Sequence, residues 1–134
     1  MESSAQILHD TPIGSLATVN EDGSPWVTPV HTVADDEAVY WFSKETVRHS
    51  QNIARDARVS LAVYSTDLSK GPKGVYINGT ATRLDTETTA RAKQLLETKI
   101  GFLPSNFIEA TGYELRIGVP DNHKSTSNCW YFYS

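Results

Sequence analysis

The stretch IGSLATVNEDGSPWVTPV, residues 13–30, alternates with period two on both sides of a turn. Ile13, Ser15, Ala17 and Val19 fall on one face of a strand, and Gly14, Leu16, Thr18 and Asn20 on the other. Asn20-Glu21-Asp22-Gly23-Ser24 is turn chemistry, because Asp-Gly supplies the positive φ that a hairpin loop needs. A second strand is predicted from Trp26 to Val33. Pro25 and Pro29 lack a backbone N–H, which places this strand at a sheet edge or interrupts its ladder near Pro29. Either outcome leaves backbone groups free for a ligand. Ala34-Asp35-Asp36-Glu37 turns the chain into a third strand, Ala38 to Ser43, rich in aromatic and β-branched residues.

On the N-terminal side, residues 4 to 10 read as a weak helix. On the C-terminal side, Thr46 to Ala57 takes helical spacing, with Val47, Ser50, Ile53, Ala54 and Ala57 on one face and Ser43 or Thr46 as its cap. A strand from Arg58 to Ser65 follows, then a polar loop over Thr66 to Pro72, and a strand from Gly74 to Leu84 that buries Val75, Ile77, Gly79 and Ala81. Asp85 or Thr86 starts a second helix with Leu95, Leu96 and Ile100 inward, closed by Gly101. A helical turn is expected near Ser105 to Ala110, a strand from Tyr113 to Val119, and a short aromatic strand from Cys129 to Tyr133. Such an order, without regular βαβ alternation, predicts a mainly β protein (β with α). The expected architecture is a six- to seven-stranded antiparallel barrel with two main helices, rather than a Rossmann sheet.

With 134 residues the chain makes one domain, 1–134, and its 39% apolar and 21% charged residues belong to a globular protein. No apolar run is long enough to span a bilayer and MESSAQILHD lacks the features of a leader, so a cytoplasmic protein is expected, not a membrane one. One cysteine, Cys129, forms no internal disulfide. The net charge of -4 argues against a nucleic-acid partner, including the reading as an oligonucleotide-binding barrel, which needs a broad basic track.

Charge arrangement says more than its sum. Residues 1 to 43 hold seven acids and no Lys or Arg; Lys44, Arg48, Arg55 and Arg58 then follow closely, with His49 among them. The segment Ser43-Lys44-Glu45-Thr46-Val47-Arg48-His49 joins a strand to a helix N-terminus, where unpaired N–H groups and the helix dipole favour an anion. Hydroxyls at 43 and 46 and cations at 44, 48 and 49 would complete a phosphate cradle. An ordinary capped helix with a solvated basic face explains the same residues. Tyr40, Trp41 and Phe42 stand just before the cradle, either as an aromatic wall for a flat phosphorylated cofactor or as core. The four His residues show no metal-ligand spacing, so no metal site is expected, and no GxSxG, GxGxxG or P-loop pattern occurs. No side chain is marked as a catalytic acid, base or nucleophile.

Taken together, IGSLATVNEDGSPWVTPV, AVYWFS, TVRHSQNIARDARVSLAV and GVYINGTATRL resemble the pyridoxamine 5′-phosphate oxidase-like, FMN-binding split-barrel family over roughly residues 8 to 118. The resemblance implies a split barrel and a homodimer with FMN in clefts at the subunit interface. By position, Phe42 and Ser43 match the strand-end pair that touches FMN, and Arg48 and His49 the basic pair that holds its phosphate, with Lys44 and Thr46 in the same turn. Val27, Thr28, Pro29, Val30 and Thr32 match the second strand, whose backbone borders the flavin ring.

The chain departs from the family pattern in three places. His49 stands where a Lys is usual, Gly74 replaces a flavin-contacting Gln, and no Arg follows Arg116 to build the substrate-phosphate motif of the longer oxidases. The expected function is therefore an FMN-dependent oxidoreductase acting on an unidentified small molecule; the departures give no support to oxidation of pyridoxamine phosphate itself. A flavin-binding storage or sensor protein, and a relative that takes a deazaflavin or haem, are the alternatives.

Overall fold

A computed structural model describes residues 8, 11, 13–65, 69, 73–117 and 128–133. The strands are β1 (Ile13–Val19), β2 (Pro25–His31), β3 (Val33–Ala34), β4 (Ala38–Ser43), β5 (Arg58–Tyr64), β6 (Lys73–Arg83), β7 (Thr111–Arg116) and β8 (Asn128–Tyr133). Helix α1 (Arg48–Arg55) lies between β4 and β5, and α2 (Thr86–Ile100) and a 3-10 turn (Ser105–Phe107) lie between β6 and β7. Every pairing is antiparallel, in the order β2-β1-β5-β6-β7-β4-β3, with β8 added to β6. Seven of these strands and both helices match the sequence expectation; the two-residue β3 is the addition.

The hairpin that opens the fold forms as its residues dictate. Gly23 turns at φ 88°, a conformation open to glycine, and Asp22 accepts from the N–H and hydroxyl of Ser24 to hold the loop. The second strand ends earlier than expected, and the break falls at Thr32 rather than at Pro29. Pro29 stays in register opposite Ser15, because β2 is an edge strand and a missing N–H costs nothing on its unpaired side. After Thr32 the chain crosses to pair with β4 as β3. One buried residue thus joins the two ends of the curled sheet, and the barrel is closed there by chain connection instead of by a ladder. Lys99 of α2 fixes this corner by donating to the carbonyl oxygens of Thr32 at 3.1 Å and Thr11 at 3.3 Å.

The run AVYWF of β4 is buried on both faces, which accounts for its unbroken apolar character. Val39 and Trp41 face the barrel interior with Leu16, Val59, Leu61, Val63, Val75, Ile77, Tyr113 and Leu115, and Trp41 stacks on Tyr113 at 6.1 Å. Ala38, Tyr40 and Phe42 face a second apolar layer with Ala92, Leu96 and Ala110 beneath α2. All three residues of the expected aromatic wall are therefore core, and of them Phe42 also borders a cleft at the end of β4.

Helix boundaries carry further corrections. Helix α1 starts at Arg48 rather than Thr46, with Val47 as N-cap and no side-chain cap, so neither Ser43 nor Thr46 caps it. Ala54 is exposed and Asn52 is buried, because the helix packs on β1 through a polar contact. In α2, Asp85 is the N-cap and accepts from Thr88 N–H at 2.7 Å, while Gly101 closes the helix at φ 89°. Leu95 is 37% exposed, whereas Leu96 is buried and Ile100 packs against the core as expected, and Thr89 and Ala92 complete the buried face. Of the weak N-terminal helix only Leu8, which is helical and buried, lies within the described residues. The strand from Tyr113 begins two residues earlier, at Thr111, and residues 118–119 of its expected span lie outside the described ones. Among the described residues no helix is long and apolar enough to cross a membrane.

Candidate functional site

The end of β4 and the start of α1 meet the edge strand β2 and the turn after α2. Between them opens a cleft of about 500 Å³, lined by Pro29, Val30 and His31 of β2, Phe42, Ser43 and Lys44, and Val47 and His49. Pro104, Asn106, Phe107 and Ala110 form the opposite wall. Its walls are largely apolar. The Phe107 ring lies 5.9 Å edge-on from His31 and 6.1 Å from Phe42 at 46°, so the three rings form a packed aromatic cluster on this wall.

Polar groups converge at the α1 end. His49 Nε2 and Ser43 Oγ share a hydrogen bond of 2.6 Å, so the serine positions the ring instead of capping the helix. Burial holds the His49 pKa below the ordinary 6.5, because desolvation disfavours the charged imidazolium. At neutral pH the ring is therefore uncharged. With Val47 as N-cap and no side chain on the first N–H groups, the N-terminus of α1 keeps donors for an anion.

Arg48 points away from this cleft. Its guanidinium carbon sits 4.2 Å above the Trp26 ring, in a neighbouring groove of about 540 Å³ lined also by Asn20, Glu21, Asp22, Thr46, Gln51, Asn52 and Arg55. The two grooves flank the first turn of α1. Behind them the buried amide of Asn52 donates to Thr18 Oγ1 and Asn20 Oδ1, both at 3.0 Å, and accepts from Arg55 at 2.9 Å. Arg55 also donates to Val19 O at 2.7 Å. This network seats α1 on β1.

The structure thus brings Pro29, Val30, Phe42, Ser43, Lys44 and His49 into one cleft and puts Arg48 on the other side of the turn, in the groove that Thr46 also lines. Lys44 lies outside the helix, so it is not stacked one turn before Arg48. Val27 is 64% exposed on the outer face of β2, Thr28 is half-buried, and Thr32 is buried at the closing corner. The sequence reading missed His31, Val47 and the wall from Pro104 to Ala110. The turn near Ser105 was legible, but nothing local showed that it folds back against Phe42.

A family model described as pyridoxamine 5'-phosphate oxidase matches residues 1–114. No curated protein sequence matches the chain significantly. Among solved structures, a conserved hypothetical protein from Mycobacterium tuberculosis superposes with a TM-score of 0.75 at 20% identity, covering 97% of this chain and 84% of that one. An F420 reductase gives 0.69 at 19% identity, covering 87% and 94%. A haem storage protein from Vibrio cholerae gives 0.71 at 17% identity, covering 83% and 84%. These likenesses are of fold. The family-model match over most of the chain, on a split barrel with a cleft at its seam, shows that the chain belongs to the pyridoxamine 5'-phosphate oxidase family.

Proposed function

We propose that this chain binds FMN and acts as an oxidoreductase on a small molecule, working as a homodimer with the cofactor between subunits. The observation that carries the reading is the meeting of an aromatic cleft with an uncapped helix start: Phe42 and Phe107 on one side, the first turn of α1 on the other. The residues fit the group. A planar ring suits the half-buried Phe107, which packs on Phe42, with the backbone of edge strand β2, from Val27 to Val30, along its border. Arg48, His49, Thr46 and the first N–H groups of α1 would hold the phosphate from both sides of the turn, once Arg48 leaves Trp26. Bound flavin supplies hydride or electron transfer, and the chain supplies binding, orientation and access.

The dimer reading rests on the outer face of the sheet. Ser15, Ala17, Ser60 and Ala62 make its centre by register, and Ile13, Val27, Tyr64 and Tyr76, between 45% and 64% exposed, surround them. Small residues flanked by exposed apolar ones suit close sheet contact with a second copy.

Two features favour a haem or deazaflavin binder as the second reading: two imidazoles, His31 and His49, line the same cleft, which suits haem, and fold neighbours include an F420 reductase and a haem storage protein. The absorption spectrum of the purified protein and the compound released on denaturation decide between them. Flavin bands and released FMN support the proposal, and a Soret band supports haem. Colourless protein that also fails to take up added FMN overturns it.

A further inference from the structure

Beside the aromatic cleft lies a second and larger one, of about 860 Å³, lined by Lys44, Glu45, Thr46, Arg83, Ser105, Asn106, Ile108, Glu109, Ala110 and Thr111. Lys44, Asn106 and Ala110 line both, so the two clefts are neighbours across one lip. We infer that this second cleft binds small organic carboxylates with an apolar body, held at the carboxylate by Lys44. That such a compound is the substrate rests on the flavin reading of the first cleft; the carboxylate preference does not.

Charge bookkeeping within the cleft points to a single negative group. Arg83 is paired with Glu45. Lys93, whose ammonium donates to Ile108 O at 2.8 Å, feels Glu109 as its coulombic partner. Lys44 is exposed and has no hydrogen-bond or ion-pair partner among the described residues, and the Asn106 amide likewise has none. An unpaired ammonium in the same cleft as a free amide favours an oxyanion, and with Glu45 and Glu109 each matched by a cation, Lys44 leaves one uncompensated positive charge to meet it. A dianionic phosphate monoester therefore fits worse than a monocarboxylate. Ile108, 59% exposed, and Ala110 give the body of the ligand an apolar surface, and the volume falls in the range of small-molecule sites.

The test uses benzoate and benzamide as probes, because they share a shape and differ in charge. Each is titrated into the full-length protein without added flavin, followed by amide chemical shifts. The expected result is saturable shifts at residues 105–111 with benzoate binding at least tenfold tighter than benzamide. Lys44→Gln, a change at an exposed position, should remove that preference and leave benzamide affinity unchanged. Equal binding of the two probes, an unchanged benzoate affinity in Lys44→Gln, or shifts confined to other residues overturns the inference. Titration of FMN into the same samples separates the two readings. A protein that takes benzoate in this way but not FMN sustains the carboxylate cleft and overturns only the flavin proposal.

Discussion

Asn52 of α1 and Thr18 of β1 are joined by a 3.0 Å hydrogen bond between two buried side chains, and this contact ties to β1 the helix whose first turn separates the two grooves. The same amide donates to Asn20 and accepts from Arg55, so its donors and its acceptor are all used.

Replacing Asn52 by Leu leaves the Thr18 hydroxyl buried without its donor and takes a partner from Arg55. The expected loss is about 2–3 kcal/mol, the cost of breaking a buried polar network from one side. Urea unfolding measures it. FMN affinity should fall as well, since the helix start is no longer seated; unchanged stability would show that the network does not hold α1.

Arg48 and Trp26 give a prediction of the opposite kind. A cation–π contact at a partly exposed ring is worth about 0.5–1 kcal/mol, so Arg48→Ala should barely alter the unfolding midpoint. FMN affinity should nevertheless drop at least about tenfold, or about 1.4 kcal/mol, because the charge that would meet the phosphate is gone. Equilibrium dialysis with FMN checks the second half. The emission of Trp26 should shift on FMN binding in the wild type, as the guanidinium moves from the ring to the ligand.

His49 makes stability and anion binding respond to pH in opposite directions. Its folded-state pKa lies below the unfolded 6.5, so the free protein has the full benefit above 6.5 and loses it as pH falls through the folded value. An anion bound beside the ring favours the imidazolium. The ratio of FMN affinity in the wild type to that in His49→Gln should therefore rise from about pH 8 to about pH 5.5, while the phosphate's own titration cancels between the two proteins. A flat ratio would place the phosphate away from His49.

Phe107 tests the wall contributed by the turn after α2. Phe107→Ala removes a half-buried ring from His31 and Phe42, with an expected cost of about 1–2 kcal/mol, since each aromatic contact adds about 0.5–1.5 kcal/mol. FMN and riboflavin should weaken together in this variant, because the ring and not the phosphate loses its surface. Loss of FMN binding alone would contradict that placement.

Local signals decided most of the fold. The Gly23 turn, the Asp85 cap and the Gly101 stop depend on residues adjacent in sequence, and each took the conformation its chemistry dictates. The failures came where distant packing overrode local preference. Asn52 reads as a solvent-facing helix residue until Thr18, 34 positions earlier, is placed beneath it. Trp41 and Tyr40 read as core or as a ligand wall, and the closure of β7 and α2 over β4 decides for core. At the site, the β4–α1 junction was legible because a strand end, hydroxyls and cations fall within seven residues. The separation of Arg48 from His49 onto opposite sides of the turn was not, because it follows from where Trp26 lies.

Comparison of FMN with riboflavin, titrated into cofactor-free protein by calorimetry, tests the central claim most directly. The two ligands share the ring that would lie on Phe42 and Phe107 and differ in the phosphate that would meet α1. The account predicts that FMN binds at least about tenfold tighter, about 1.4 kcal/mol, and that Arg48→Ala erases most of the difference. Equal affinities for the two, or binding of neither, would contradict it.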